Sequence, residues 1–239
     1  MHENHIVVTF DLCSSSKLLE DLTLSGNVEA LGQMLGHLHH FLRAKTKELN
    51  GTVYQFTGDG WILLFPDSMN GKRFVSFLTE LCELQHYALH SKVTRLLEST
   101  PERLGITIGI DRGPLLQVNF SGRPEWVGRA INVACRLQSA IKDNDHEPEY
   151  KALLSKHLYE KFRSDFTVLH PVKATRSLRN IGRGPKFECM KVTLFRPSAT
   201  SKPNVNIRRT LSMRVPSPLA SKTASDQIKA AILRGPKRN

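Results

Sequence analysis

Two aspartates are the residues of this sequence best suited to hold metal ions. Asp11 ends the apolar run at residues 5–12 (HIVVTFDL), and Asp59 lies in residues 57–60 (TGDG), between two β-branched and aromatic runs. The first pattern predicts a buried strand and the second a β-hairpin with an acidic tip. Two carboxylates that meet can hold divalent cations about 3.5–4 Å apart. Each aspartate alone is explained equally well as a helix cap or a turn residue.

A third segment carries polar side chains at helical spacing. Gly128, Asn132 and Arg136 recur every four residues, which places them on one face of a helix. An amide on that face can hold a ribose hydroxyl, and a guanidinium can stabilise negative charge that develops on a phosphate. A solvent-exposed polar helix face would show the same pattern.

The turn after Asp11 is a candidate phosphate-binding segment. It contains Cys13, Ser14, Ser15 and Ser16 and leads into a predicted helix for which a serine is the N-cap. Backbone N–H groups in the first turn of a helix have no partner within the helix and bind anions. We therefore expect a triphosphate to bind at this turn.

The remaining pattern predicts one α+β domain over residues 1–196. Its order of elements indicates a ferredoxin-like βαββαβ core with added C-terminal α and β elements. We expect a mixed, largely antiparallel sheet with its helices on one face and the bare face buried against a second copy. Strands are predicted at residues 5–12, 51–65 (the hairpin), 104–110 and 115–119 (a second hairpin turning at 112–114), 166–169 and 186–194, and helices at 27–49, 70–98, 128–142 and within 152–162.

Basic charge is concentrated at the C-terminus. The 239 residues carry a formal net charge of +12, of which +8 lies in residues 197–239. This Pro- and Ser-rich segment is predicted to be a disordered tail with an unassigned partner, although residues 225–233 could form a short helix. The four cysteines show no metal-binding or disulfide spacing, and the sequence pattern predicts neither a signal peptide nor a membrane span. A cytoplasmic location is therefore expected.

Four segments together resemble a known family. They are VVTFDLCSSS at residues 7–16, FTGDG at 56–60, LGITIGIDRGP at 104–114 and VGRAINVACRLQS at 127–139. In this order they resemble the class III nucleotidyl cyclase catalytic domain, the adenylate and guanylate cyclase family, over about residues 5–195. The resemblance implies a phosphorus–oxygen lyase that makes a 3′,5′-cyclic nucleotide and pyrophosphate from a nucleoside triphosphate. It also implies a head-to-tail homodimer with two composite active sites.

The resemblance assigns roles to individual residues. Asp11 and Asp59 match the aspartates that bind two Mg²⁺ or Mn²⁺ ions, and the Leu12 carbonyl is a further expected ligand. Asn132 and Arg136 match the pair that stabilises the transition state.

The family's late phosphate-binding lysine has no direct match. The corresponding turn resembles residues 181–184, which makes Arg183 the candidate for the terminal phosphate, with Lys186 as the alternative.

The positions that select the base depart from the family. Gln55 stands where adenylate cyclases have Lys and guanylate cyclases Glu, and Glu125 stands where they have Asp or Cys. Because Gln both donates and accepts hydrogen bonds, it does not choose a base. Tyr54 would crowd a purine if it faces the pocket. Small stand-alone bacterial members include the Pycsar antiphage cyclases, which make cyclic UMP or cyclic CMP. A pyrimidine is therefore favoured by a narrow margin, with adenylate or guanylate cyclase activity as the alternative.

A binding module without catalysis is a second class of function. A cyclase-like domain could sense nucleotides or hold nucleic acid through its basic tail. The complete set of two aspartates, Asn132 and Arg136 argues against this, because a sensor has no need of both metals.

Overall fold

The structure is a computed structural model that describes residues 3–141, 150–181, 186–198, 203 and 205–213. At its centre is an eight-stranded sheet. The strands are β1 (Glu3–Leu12), β2 (Thr52–Phe56), β3 (Gly60–Pro66), β4 (Ile106–Phe120), β5 (Arg123–Val127), β6 (Tyr150–Ser155), β7 (Val172–Arg176) and β8 (Phe187–Thr193). Their order in the sheet is β2-β3-β1-β4-β6-β8-β7, and β5 pairs with the far end of β4. All described pairs are antiparallel except β4 with β6.

Seven α-helices are present in the described part of the chain. They are α1 (Ser15–Leu24), α2 (Val28–Glu48), α3 (Gly71–Lys92), α4 (Arg129–Ser139), α5 (Lys156–Lys161), α6 (Arg163–Phe166) and α7 (Val205–Ser212). The element order from β1 to α4, with its mainly antiparallel sheet, confirms the predicted α+β class. None of the described helices is long and apolar enough to cross a membrane.

Side-chain alternation along β1 gives the sheet two covered faces. Ile6, Val8 and Phe10 belong to the main core, which includes the buried sides of α2 and α3. Val7 points to the opposite face and packs in a smaller cluster with Ala130 of α4. Because successive strand residues face opposite sides, α4 lies across the sheet from α2 and α3. The expectation that all helices share one face is therefore wrong.

Gly109 of β4 explains how α4 reaches this face. A Cβ atom at this position would fall on the Ala134 carbonyl oxygen and the Gln138 backbone nitrogen, and would lie 2.9 Å from Gln138 Cβ. The helix backbone therefore rests directly on the strand. A hydrogen bond of 2.8 Å from Gln138 Nε2 to Thr107 Oγ1 fixes the same turn.

The second predicted hairpin is also wrong. β4 continues through Gly113 and Pro114, which pair with His5 and Asn4 of β1. The described pairing of β4 with β6 ends at Ile110, so β4 is an edge strand on that side at Pro114, which is a position where proline is tolerated.

The chain instead reverses at Ser121 and Gly122, whose φ angles are 52° and 83°. The strand predicted at residues 166–169 is wrong as well. The end of α6 and a short 3₁₀ turn occupy these residues, and β7 follows at Val172.

Part of the predicted disordered tail is helical. α7 packs beside α2 and α3, and its Ile207 side chain is 1% exposed within the main core. Nε2 of His37 lies 3.2 Å from the Met213 carbonyl oxygen, just after this helix. Residues 214–239, with the possible helix at 225–233, lie outside the described residues.

Candidate active site

The strand pairing brings Asp11 and Asp59 together. β1 and β3 pair with Asp11 opposite Gly60, so the hairpin tip lies beside the end of β1. A Cβ atom at Gly60 would fall on the Phe10 carbonyl oxygen and 3.0 Å from the Asp11 Cα. Only a residue without a side chain lets the tip approach this closely. The two aspartates meet as the sequence predicts.

The electrostatics of Asp11 are those of a carboxylate without a counter-charge. Burial raises its pKa to about 7, and Asp59 adds to the shift through a hydrogen bond and through its negative charge. The backbone N–H of Leu12 lowers the pKa in part. Oδ1 of Asp11 is buried and has no hydrogen-bond partner among the residues that the structure describes. A cation at this point would stabilise both carboxylates.

This pair of carboxylates suits a divalent cation that keeps other ligands. Mg²⁺ is typically bound through one or two protein carboxylates, with water and phosphate oxygens completing its octahedron. Asp11, Asp59 and the Leu12 carbonyl would supply the protein ligands. In the described ranges, no group of three or more His, Cys, Asp or Glu side chains could hold a metal ion. A site made of protein ligands alone, as zinc prefers, is therefore not formed by those residues.

The serine-rich turn follows the metal-binding candidates directly. The backbone nitrogen of Cys13 donates to the Gly105 carbonyl at 2.9 Å, and Leu18 donates to the Ser14 carbonyl as α1 begins. Ser14 has a φ of 57°, and its hydroxyl makes no capping hydrogen bond. The expected serine cap is therefore absent at Ser14. Ser15 and Ser16 lie in the first turn of α1, which has no acidic side chain.

Asn132 and Arg136 are both exposed on α4. The opposite side of the helix is buried, with Ala130, Val133, Ala134 and Leu137 against the sheet. No hydrogen bond links Asn132 or Arg136 to either aspartate in the part of the chain that the structure describes. A single subunit therefore does not bring the two halves of the predicted site into contact.

Gly128 has a different role from the two polar residues. A Cβ atom there would lie 2.6 Å from Leu115 Cδ2 and 2.7 Å from the Pro114 carbonyl oxygen. The glycine therefore allows the start of α4 to approach β4 closely. It positions the helix and contributes no polar group.

A cationic cavity beside Arg136 was not predicted from the sequence. It encloses about 290 Å³ between the C-terminal end of α4 and the turn after β7. Where the structure describes the chain, its lining contains three guanidinium groups and no carboxylate, and comprises Arg136, Ser139, Ala140, Thr175, Arg176, Ser177, Leu178 and Arg179. Such a lining favours a multiply charged anion.

The cavity adds Arg179 to the candidates for binding the terminal phosphate. Arg183 lies outside the described residues, and Lys186 is exposed. Arg179 lines the cavity together with Arg136. Two arginines spaced three residues apart, Arg176 and Arg179, are the sequence feature that could have indicated an anion site. Their proximity to α4 is a long-range contact, which the sequence pattern does not show.

The three candidate base-specifying residues have different environments. The Tyr54 hydroxyl donates to Glu125 Oε2 at 2.7 Å and accepts from the Trp126 backbone nitrogen at 3.1 Å. Burial, followed by this contact with Glu125, raises the pKa of Tyr54. Gln55 is exposed and lies opposite Ile62 of β3.

A β-bulge accounts for the placement of Tyr54 and Gln55. The register of β2 against β3 shifts between Val53 and Gln55. Tyr54 packs in the same cluster as Ile62, on the face that carries α4. Because directly paired residues share a face, Gln55 points to this face as well. Two consecutive side chains therefore lie on the side of the sheet from which Asp11 projects.

No protein-family model and no curated protein sequence matches this chain. Solved structures do match. The adenylyl cyclase CyaB from P. aeruginosa is 18% identical, with 80% of this chain and 94% of that chain covered and a TM-score of 0.58. The guanylyl cyclase Cya2 is 19% identical, with 80% and 92% covered and a TM-score of 0.58. The guanylate cyclase domain of RhGC from Catenaria anguillulae, in complex with GTP, is 19% identical, with 80% and 96% covered and a TM-score of 0.55. The chain has the fold of the adenylyl and guanylyl cyclase catalytic domains.

Proposed function

We propose that the protein is a metal-dependent nucleotidyl cyclase. The observation that carries the proposal is the Asp11–Asp59 pair, with its buried, unpartnered carboxyl oxygen and the Asp11 pKa raised to about 7. Two divalent cations bound there would neutralise the triphosphate and favour ionisation of the attacking hydroxyl. The ribose 3′-hydroxyl loses its proton to water, its oxygen forms a bond to the α-phosphorus, the bond from that phosphorus to the bridging oxygen breaks, and pyrophosphate leaves.

The remaining roles belong to side chains on α4 and after β7. Asn132 orients the ribose through its amide, and Arg136 stabilises the negative charge that grows on the α-phosphate. Arg179 binds the departing pyrophosphate in the cavity that it shares with Arg136. The first turn of α1, with Ser15 and Ser16, contacts the phosphates through backbone N–H groups.

We further propose that the active enzyme is a homodimer with two composite sites. Asn132 and Arg136 are exposed and have no hydrogen bond to their own aspartates among the described residues. Apolar side chains on the β4–β5 hairpin are also exposed and would be covered in a dimer, namely Leu116 (40% exposed), Phe120 (63%) and Val127 (53%). A partner subunit that covers this surface can bring its α4 over the aspartates.

A pyrimidine nucleoside triphosphate is the proposed substrate. The Tyr54 ring lies between β2 and β5 and reduces the space available to a purine. Its hydroxyl donates a hydrogen bond to one carboxylate oxygen of Glu125, so that oxygen is less available to the base. The product would then be cyclic UMP or cyclic CMP, which fits a signal in antiphage defence. Adenylate or guanylate cyclase activity is the alternative, and it remains compatible with the exposed Gln55.

A product assay tests the proposal. Each of the four nucleoside triphosphates is incubated with the purified chain and Mn²⁺, and the products are identified by mass spectrometry. We expect one pyrimidine to give a cyclic nucleotide and pyrophosphate, and Asp59→Asn to abolish both. Glu29→Gln, at an exposed site on α2, is the matched control and should behave like the wild type.

Two results would contradict the proposal. One is the absence of any cyclic product with all four nucleotides, and the other is full activity of Asp59→Asn. Nucleotide binding without turnover would instead support a binding module, as would salt-dependent nucleic-acid binding that is lost when residues 214–239, which follow α7, are removed.

A further inference from the structure

The guanidinium group of Arg176, on β7, is hydrogen-bonded to the end of α4. Nε of Arg176 donates to the Ala140 carbonyl oxygen at 3.0 Å. Nη1 of the same side chain donates to the Thr175 carbonyl at 3.1 Å. Ala140 follows the last residue of α4, and its own N–H donates to the Arg136 carbonyl at 3.0 Å. Arg176 therefore holds the helical turn that begins at Arg136.

The chemistry of a helix end makes this contact strong. The last four carbonyls of an α-helix have no partner within the helix, and the helix dipole places negative charge there. A guanidinium at this point donates a charge-assisted hydrogen bond and complements the dipole. α4 packs mainly on β1, β4 and β6, and its Leu137 shares a buried apolar cluster with Leu178, in the turn after β7. The hydrogen bonds of Arg176 add a directional contact at the end of the helix to this apolar packing.

We propose that Arg176 is a positioning residue that fixes Arg136 relative to Arg179. Both of these side chains line the cationic cavity, and neither has a hydrogen bond within the described ranges. Arg136 is carried by α4 and Arg179 by the turn after β7, so their separation depends on what connects the two elements. A buried apolar cluster that includes Leu137 and Leu178 holds the two elements together, and the hydrogen bond from Arg176 fixes the last turn of α4 on this packing. The effect on catalysis rests on the proposed cyclase function, whereas the effect on α4 does not.

The partners of Arg176 distinguish positioning from direct binding of phosphate. Its Nε and Nη1 donate to two backbone carbonyls. Arg136 and Arg179 are exposed and can turn towards an anion. Loss of Arg176 should therefore loosen the last turn of α4 and misplace Arg136, while the affinity for the anion changes little.

Amide hydrogen exchange tests the effect on α4 without any substrate. Arg176→Gln should speed exchange in the last turn of α4, at residues 138–141, by about tenfold, the effect of losing one charged hydrogen bond. Arg176→Lys keeps a charge at the helix end and should show a smaller increase. Lys173→Gln is the matched control, because Lys173 is exposed on the same strand and pairs with Met190, on the opposite face from Arg176.

Turnover tests the consequence for catalysis. We expect Arg176→Gln to lower kcat about tenfold with KM within about threefold, because a misplaced group acts mainly in the transition state. Arg179→Gln should instead weaken the binding of pyrophosphate, measured by calorimetry with Mn²⁺ present.

Each outcome decides the proposal. The proposal is overturned if hydrogen exchange at residues 138–141 is the same in Arg176→Gln as in the wild type. If exchange is unchanged and Arg176→Gln binds pyrophosphate more weakly, as expected for Arg179→Gln, then Arg176 contacts phosphate itself, and this result also overturns the proposal. Global unfolding of both Arg176 variants contradicts a local positioning role for Arg176. If the wild type makes no cyclic nucleotide, the proposed function fails, but faster exchange in Arg176→Gln still supports the role of Arg176 in positioning the end of α4.

Discussion

The approach of the hairpin tip to β1 can be tested with one methyl group. In Gly60→Ala the new Cβ would fall on the Phe10 carbonyl oxygen, 2.9 Å from the Phe10 carbonyl carbon and 3.0 Å from the Asp11 Cα. These are backbone atoms of a central strand and cannot rotate away. The strands must therefore separate at the point where Asp11 and Asp59 meet.

The expected cost follows from this geometry. Restoring ordinary contact requires β1 and β3 to move apart by about 1 Å, which weakens the ladder hydrogen bonds around Asp11 and Gly60. Overpacking of this kind costs about 1–3 kcal/mol, and we expect about 3 kcal/mol in the free energy of unfolding. The same displacement changes the separation of the two carboxylates. A shift of about 1 Å at a catalytic group can reduce turnover about a hundredfold.

Gly58→Ala is the matched control in the same hairpin. No atom lies within 4 Å of a Cβ at Gly58, although its φ of 109° is unfavourable for alanine. We expect this variant to lose about 1 kcal/mol through backbone strain alone. Urea unfolding measures both costs, and calorimetry with Mn²⁺ measures metal binding. Equal stability and equal metal affinity in the two variants would refute the argument from close approach.

Three further predictions concern other parts of the structure. Burial raises the pKa of Asp111, which is 0% exposed, so its folded-state pKa exceeds the unfolded value. The wild-type protein should therefore gain stability as pH falls from that folded-state pKa towards about 4, and Asp111→Asn should not show this gain. Urea unfolding at several pH values measures the difference, and free energies of unfolding that change in parallel for the two proteins would contradict the prediction. Tyr54→Phe removes the hydrogen bond to Glu125 and should reduce discrimination among the four nucleotides about tenfold, measured as kcat/KM; unchanged discrimination would show that Tyr54 does not position Glu125. Ile207→Ala should release α7 from the core and speed tryptic cleavage after Arg208 and Arg209, while the free energy of global unfolding changes by less than about 1 kcal/mol. Cleavage at the wild-type rate would show that this side chain does not hold α7 in place.

The local parts of the candidate site could be predicted from the sequence. β1 was identified because an apolar run signals a buried strand, and the hairpin because Gly58 and Gly60 mark a tight turn. The meeting of Asp11 and Asp59 then follows from the order of strands in a ferredoxin-like sheet. These inferences need only short-range patterns and a common topology.

The face of the sheet that carries α4 could not be predicted in the same way. The helix pattern identifies the buried side of α4 but not the surface that receives it. That surface is available because Gly109 has no side chain, and an isolated glycine in a strand pattern has several explanations. The cavity formed by Arg136 and Arg179 was missed for a related reason, since it depends on contact between α4 and the turn after β7.

Residues typical of turns lead to a wrong prediction where hydrogen bonding to a neighbouring strand keeps the chain extended. Gly113 and Pro114 predicted a reversal, but β1 pairs along this whole stretch and keeps β4 extended. The docking of α7 is likewise hard to predict, because only two apolar side chains at helical spacing, Ile207 and Leu211, pack against the core, and so short a pattern in a segment of low hydrophobicity does not identify a packed helix.

The extra residue in β2 has a consequence for how base selectivity can change. A regular strand presents every second side chain to one face, so Tyr54 and Gln55 could not both serve the same pocket. The bulge between Val53 and Gln55 removes that restriction. Deleting one residue at this point would restore regular alternation and turn one of the two side chains to the opposite face. Specificity in this protein can therefore be altered by the length of a strand as well as by the identity of its residues.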